Sequence, residues 1–252
     1  MLSYQHIYHA GCLADVHKHM ALSVVLEQMV QKDKPLYYME THAGRGLYDL
    51  NSEESKKTGE AQEGIITLRA KLPAEHPYTK ILNSMQKNYY PGSPTIAHNI
   101  LRQNDRLFLM ELHPQEFRVL KENMGNYRNV FVHNKDGYQE VLALSPPLVR
   151  RGVVMVDPSY EVKDEYLQAA EFIKALHKKW PETTIILWYP LLKSGLYKDM
   201  CETLENAGLP KLWRQEIKFS NKENNTIGSG LIICNLPYGS EDKLKNIKKF
   251  FI

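Results

Sequence analysis

Asp157-Pro158-Ser159-Tyr160 follows directly on the apolar run at residues 152–156. A strand that is apolar throughout is buried on both faces, so Asp157 is expected at the middle of a sheet's carboxyl edge. Pro158 lacks an N–H and fixes φ, which holds the loop extended and leaves its carbonyls free to accept. Tyr160 adds a face on which a planar ring can stack. Acceptors beside an aromatic platform suit the exocyclic NH2 of a base drawn out of its stack. The plain alternative is an Asp-Pro turn that closes a strand.

Further strand ends carry related residues. The first expected strand ends in Glu40-Thr41-His42-Ala43-Gly44-Arg45-Gly46. Glycines there let the backbone pass close to a ligand. A dinucleotide fingerprint wants a third glycine where this sequence has Asp49, which counts against an NAD-dependent oxidoreductase. A nucleoside cofactor without a pyrophosphate has no such need. Glu111 ends the second strand, placed to take both hydroxyls of a ribose. Asp136-Gly137 follows the third, an acid for an adenine amino group beside unhindered backbone. Each alone is more often a cap or a turn residue. Three in register at successive strand ends carry more weight.

The N-terminal segment collects Tyr4, His6, Tyr8, His9, Gly11, Asp15, His17, Lys18 and His19. The helix that follows has an apolar stripe at Leu22, Val25, Leu26 and Met29. Extended backwards, the same face reads Asp15, Lys18, His19, which suits a helix start lining a polar cleft. Pairing of Asp15 with Lys18 or His19 on a solvated helix end is the alternative. His6-x-x-His9-x-x-Cys12 has loosely metal-like spacing but no fourth clustered ligand, so no metal is expected.

The elements that position these residues alternate between β-rich runs and helical patterns, which argues for a parallel sheet with helices on both faces. Strands are expected at residues 36–39, 106–111, 129–133, 152–156, 184–189, 212–219 and 229–235, and helices at 114–123, 136–144, 161–177 and 198–207. The connection at 220–228 leaves no room for a helix, so the last two strands should pair antiparallel. The result is an α/β fold with a seven-stranded sheet ending in a hairpin. About 60 residues separate the first two strands, where a β-α-β unit needs roughly 30. The excess, with helix-compatible stretches at 59–72 and 76–86, is expected to be a small helical subdomain at 51–90, inserted into a catalytic domain of residues 1–50 and 91–252. Its six basic and five acidic side chains suit a solvated surface better than a grip on RNA.

Composition sets the outer bounds. With 43% hydrophobic and 24% charged residues, the 252-residue chain has the balance of a soluble globular protein. A net charge of +3 neither demands nor excludes a nucleic-acid partner. Three scattered cysteines form no disulfide framework and suit a reducing compartment. With no signal peptide and no membrane-length apolar run, the expectation is a cytoplasmic enzyme.

Met1-Leu-Ser-Tyr4-x-His6-x-x-His9-Ala-Gly11, followed by Asp15-Val-x-Lys18-His19, resembles the N-terminus of the RlmJ family of 23S rRNA adenine-N6 methyltransferases. Thr41-His42-Ala-Gly44-x-Gly46, Tyr90-Pro-Gly-Ser93-Pro94, Glu111-Leu-His-Pro114, Asp136-Gly137 and Asp157-Pro158-x-Tyr160 resemble that family's motifs in the same order. The resemblance implies a Rossmann-like class I S-adenosylmethionine-dependent methyltransferase with a helical insertion. It would be a monomer without metal or membrane, acting on one adenine of large-subunit RNA, naked or in an assembly intermediate. Motif matching implies cofactor contacts from His19, His42, Ser93, Glu111, Asp136, Gly137 and Asp157. It makes Asp157 the catalytic acid, in a loop with Pro158 and Tyr160, and has Tyr4 meet the substrate adenine. Ser93 by residue type alone reads as a turn.

There are departures. The family's loop usually reads Asp-Pro-Pro-Tyr, and Ser159 here relaxes φ and restores an N–H. The family is also expected to continue further past the last strand than Ile252 does. Asn235-Leu-Pro-Tyr238 imitates the catalytic motif at the wrong strand and is read as a turn. A catalytically silent RNA-binding module on the same fold, and a methyltransferase for another nucleic acid, stand as alternatives.

Overall fold

The computed structural model describes residues 4–219 and 226–251. The start of the N-terminal motif at 1–3, most of the connection expected at 220–228, and residue 252 lie outside the described residues. A 3-10 turn at His6–Tyr8 leads into α1 (Leu13–Val30), which delivers the chain to β1 (Tyr37–Glu40). Then come β2 (Leu47–Asp49), α2 (Glu53–Thr58), α3 (Pro77–Ser84), β3 (Tyr89–Pro91) and α4 (Ser93–Ile100). A regular alternation follows, with β4 (Arg106–Met110), α5 (Pro114–Met124), β5 (Val130–His133), α6 (Gly137–Leu144), β6 (Gly152–Val156) and α7 (Glu165–Lys179). The chain ends with β7 (Thr184–Leu192), α8 (Tyr197–Glu205), β8 (Trp213–Lys218), β9 (Thr226–Cys234) and α9 (Glu241–Ile247).

The seven-stranded sheet has the order β5-β4-β1-β6-β7-β9-β8. Its first five strands run parallel, β9 pairs antiparallel with β7, and β8 closes the edge antiparallel to β9. This is the seven-stranded Rossmann-like sheet with a terminal hairpin that the sequence implied. The chain leaves β1 outward through β4 and β5, then returns to β6 on the other side. That reversal opens a crevice above the carboxyl ends of β1 and β6.

The pleat divides the core into two clusters. Val153 and Met155 face a cluster with α1, α3 and α4, while Val154 and Val156 face one with α7 and α8. Every residue of β6 is buried, as its uninterrupted apolar run requires.

The segment between β1 and β4 departs from expectation. The helix-compatible stretch at 59–72 is broken into a π turn (Gln62–Ile66) and a 3-10 turn (Arg69–Lys71). The break is at Gly64, with non-helical ψ of −113°, where the Ile65 amide donates to the Gly11 carbonyl at 2.8 Å. A Cβ on Gly64 would lie 2.0 Å from that carbonyl oxygen. The backbone thus gives up helical bonds to grip the N-terminal arm. Leu68, Leu72, Tyr78 and Leu82 then share the buried cluster of α1.

Three helices, α2, α4 and α9, have no counterpart among the stretches read as helical, and α2 is six residues long. α4 is eight residues long and α9 seven. Helices this short depend on tertiary packing for their stability. The helix expected from 161 begins at Glu165, because residues 157–164 stay in the loop. Asn235-Leu-Pro-Tyr238 is a turn, as read. It lies at the edge opposite Asp157, with the Asn235 side chain donating to the Pro181 and Thr183 carbonyls. Among the described residues no helix is long and apolar enough to cross a membrane.

Gly64→Ala should destabilise the protein by ~2 kcal/mol or more, since backbone of both segments must move apart. Chemical denaturation of the two proteins measures it, and equal midpoints would refute the clasp.

Candidate active site

The crevice at the switch point opens into a cavity of ≈ 850 Å3. Tyr4, His19, His42, Ser93 and Glu111 all line it, as do Asp136, Gly137, Asp157, Pro158 and Tyr160. Tertiary structure therefore gathers these ten positions in one space, whereas Tyr8, Gly11, His17 and Gly46, also singled out in the sequence, do not line it.

One side is organised by a buried cation. Lys18 Nζ donates to Asp157 Oδ2 at 2.5 Å and to Asp15 Oδ1 at 2.9 Å, with 4% of its side chain exposed. Asp15 Oδ2 accepts the Gly11 amide and is bonded to His6 Nε2, each at 2.9 Å. Tyr4 closes the series with its hydroxyl 2.8 Å from His6 Nδ1 and its ring stacked on His9. Burial would raise the Asp15 carboxyl, but His6 and Lys18 outweigh it and hold it well below the carboxylate range. Burial likewise opposes charge on Lys18, and the two carboxylates overcome it to push its pKa up. The pairing of Asp15 with Lys18 is real, but the helix start is buried rather than solvated.

Tyr160 adopts φ of 55° and donates its hydroxyl to the Trp188 carbonyl at 2.8 Å. Its ring is 7% exposed and packs on Tyr166. Trp188 adds a second aromatic wall, with Lys18 Nζ 5.2 Å from its ring centroid.

The opposite side presents fixed acceptors and close-approaching backbone. Each Glu111 oxygen accepts one backbone amide at 2.8 Å, from Gly44 and from His113, which fixes the carboxylate while leaving it further lone pairs. Burial raises its pKa against those two amides. Asp136 caps α6 through Oδ1, which accepts the Gln139 amide at 2.9 Å, and its second oxygen is free of that bond. A Cβ on Gly137 would fall 1.9 Å from the Thr41 carbonyl oxygen, so only glycine lets α6 start this close to β1. The buried Tyr138 hydroxyl, on the same wall, has no hydrogen-bond partner among the described residues. Fixed acceptors, bare backbone and an unsatisfied hydroxyl fit an adenosine-containing cofactor.

Between the two sides lie neutral polar groups. Burial pushes the His19 and His42 imidazoles down to about 3 and about 4. Ser93, the first residue of α4, donates its hydroxyl to Glu40 Oε1, and Tyr38 donates to Oε2 at 2.9 Å. Burial raises Glu40 to about 8 against those hydrogen bonds, so it keeps its proton at neutral pH. His19 Nδ1 lies 2.7 Å from the Tyr90 hydroxyl, to which Tyr78 donates in turn.

Sequence reasoning missed Trp188 and Tyr138, which line the cavity, and Glu40 and Tyr90, which hold Ser93 and His19 from behind it. Glu40 had a readable signal, an acid ending a buried strand; the others are aromatic residues whose orientation only the fold decides. His6 and His9 bond Asp15 and Glu60, and no group of metal-ligating side chains gathers among the described residues.

A family model described as ribosomal RNA large subunit methyltransferase D, RlmJ, matches residues 33–252. The chain belongs to the RlmJ family. Relatives named ribosomal RNA large subunit methyltransferase J are each 38% identical over 98% of this chain. They come from Haemophilus influenzae and Escherichia coli, with 92% and 91% of their lengths covered. A crystal structure from Legionella pneumophila, of protein LPL1258, superposes with a TM-score of 0.86 at 36% identity, covering 96% of this chain and 94% of that one. RlmJ membership and the sheet order make this a methyltransferase of the Rossmann-like class.

Lys18→Met should destabilise the protein by ~3–5 kcal/mol, because the carboxylates of buried Asp15 and largely buried Asp157 lose their cation. Urea unfolding checks this, and adding Asp15→Asn should recover part of the loss. Glu40 gives a pH signature. Its folded pKa lies above the ordinary 4.5, so its contribution is fully present below pH 4.5 and is lost as pH rises through about 8. Melting temperature should therefore fall from pH 5 to 8 in the wild type relative to Glu40→Gln; parallel profiles would contradict a protonated Glu40.

Proposed function

We propose that this chain transfers a methyl group from S-adenosylmethionine to the N6 amine of an adenine in 23S rRNA, in the cytoplasm. One observation carries the reading. Asp157, gripped by Lys18, faces the same cavity as Glu111 and Asp136-Gly137. An amine acceptor and a nucleoside site thus open on one space. The names of the relatives point to the RNA.

When bound, S-adenosylmethionine supplies the electrophilic methyl of its sulfonium. In this reading Glu111 accepts the ribose hydroxyls, while Asp136 and the Gly137 backbone hold the adenine. His19, His42 and Ser93 lie toward the methionine end, where uncharged imidazoles bind without repelling the sulfonium. The target base leaves its stack, at a cost of a few kcal/mol that unpaired RNA largely avoids. Its N6 then donates to Asp157 and to the Pro158 carbonyl. Accepting both N–H protons frees the amine lone pair from the ring and directs it at the methyl group. Positioning and fixed charge supply most of the rate.

Lys18 holds the Asp157 carboxylate in the orientation that this donation needs. Tyr4 covers the entrance against the target base, and Tyr160 and Trp188 form the wall behind it. Residues 51–90, read as an inserted subdomain, brace the arm and His19.

Incubation with labelled S-adenosylmethionine and unmodified 23S rRNA, followed by nucleoside analysis, tests the reading. Label in N6-methyladenosine at one position is the expected result. Asp157→Ala should lower turnover by about 100-fold or more while cofactor affinity falls far less. Cofactor binding without transfer would favour the silent RNA-binding module; label on another nucleic acid would correct the substrate.

A further inference from the structure

The Asp157–Tyr160 loop contains a residue held in an uncommon conformation. Tyr160 has φ of 55°, a left-handed geometry that bulky side chains adopt only when neighbours impose it. Its hydroxyl, on the Trp188 carbonyl, fixes the far end of the ring but not the backbone before it. In the family's usual pattern the preceding residue is proline, which restricts φ by its ring. Here that residue is Ser159, and another device has to supply the rigidity.

Glu165 is placed to do so. It is the first residue of α7, where the helix dipole favours a carboxylate, and it lines the cavity. Ser159 Oγ lies 3.4 Å from both of its oxygens. The nearby Tyr160 and Val162 amides favour the charged form of this carboxylate. The Glu165 amide in turn donates to the Val162 carbonyl at 3.0 Å, so residue 165 returns a bond to the loop it collects. Burial raises its pKa, and the Ser159 hydroxyl and the two amides oppose the shift. The Asp164 side chain makes no capping bond to α7, which leaves this organising task to Glu165.

We infer that Glu165 is a positioning residue, clamping the 157–160 loop through the Ser159 hydroxyl, and that the Ser159–Glu165 pair replaces the rigidity of a second proline. It touches no reacting atom. It fixes where the Asp157 carboxylate and the Pro158 carbonyl point, and so the fraction of molecules ready to accept an amine. The inference rests on the reading of this loop as the amine site, but the clamp itself can be observed without turnover.

Amide hydrogen exchange and steady-state kinetics on the wild type, Glu165→Ala, and Glu165→Ala with Ser159→Pro provide the test. In Glu165→Ala, exchange at residues 160–162 should accelerate about tenfold while the sheet amides keep their protection. kcat should fall about tenfold, with KM for the RNA and the calorimetric cofactor affinity within about threefold. Adding Ser159→Pro should restore most of kcat, because proline restricts φ without needing a partner. Unchanged exchange at 160–162, or exchange raised equally throughout the protein, would overturn the clamp. So would a kcat loss that Ser159→Pro leaves untouched. If the wild type transfers no methyl to RNA, the functional reading fails while the exchange arm still decides the clamp.

Discussion

The site hangs on one buried ammonium. Lys18 lies between Asp15, one turn earlier on α1, and Asp157, at the end of the central strand β6. A lysine so enclosed is tolerable only when its charge is matched and its donors are satisfied, so neither carboxylate is optional. The pairing fastens the first long helix to the middle of the sheet. Asp15 also accepts from Gly11 and binds His6, so the N-terminal arm must fold back over the crevice that Lys18 anchors. Tyr4 reaches the cavity through that geometry.

Charge is distributed unevenly around the cavity. On one side, the Asp15 carboxylate and the Lys18 ammonium keep each other charged at short range. On the other side, burial without a charged partner leaves His19, His42 and Glu40 uncharged. In the proposed reaction the amine would meet fixed charge, and the cationic cofactor would meet neutral dipoles and carboxylates. The segment between β2 and β3 supports both sides. Its Gly64 turn holds the arm, and Tyr78 and Tyr90 reach His19.

Much of this was legible in the residues. The uninterrupted apolar run of β6 placed Asp157 at the centre of the sheet edge, and alternation of strand and helix implied the parallel order. Glu111 and Asp136-Gly137 were readable because ligands collect at the carboxyl ends of parallel strands. Less legible were features whose signal depends on contacts far apart in sequence. α4 hides behind Ser93-Pro94, and the stretch at 59–72 looks helical until Gly64 meets Gly11.

The sequence by itself determined the sheet, its reversal point and the polar residues presented there, since hydrophobic period and strand-end residues are local properties. Tertiary structure alone decided which of those residues share a bond. Lys18 and Asp157 are 139 positions apart, and His19 meets Tyr90 across 71. Nothing local encodes such a meeting. It follows from packing α1 and the inserted segment on the same face of the sheet, where desolvation makes each unpaired charge or hydroxyl costly enough to select its partner.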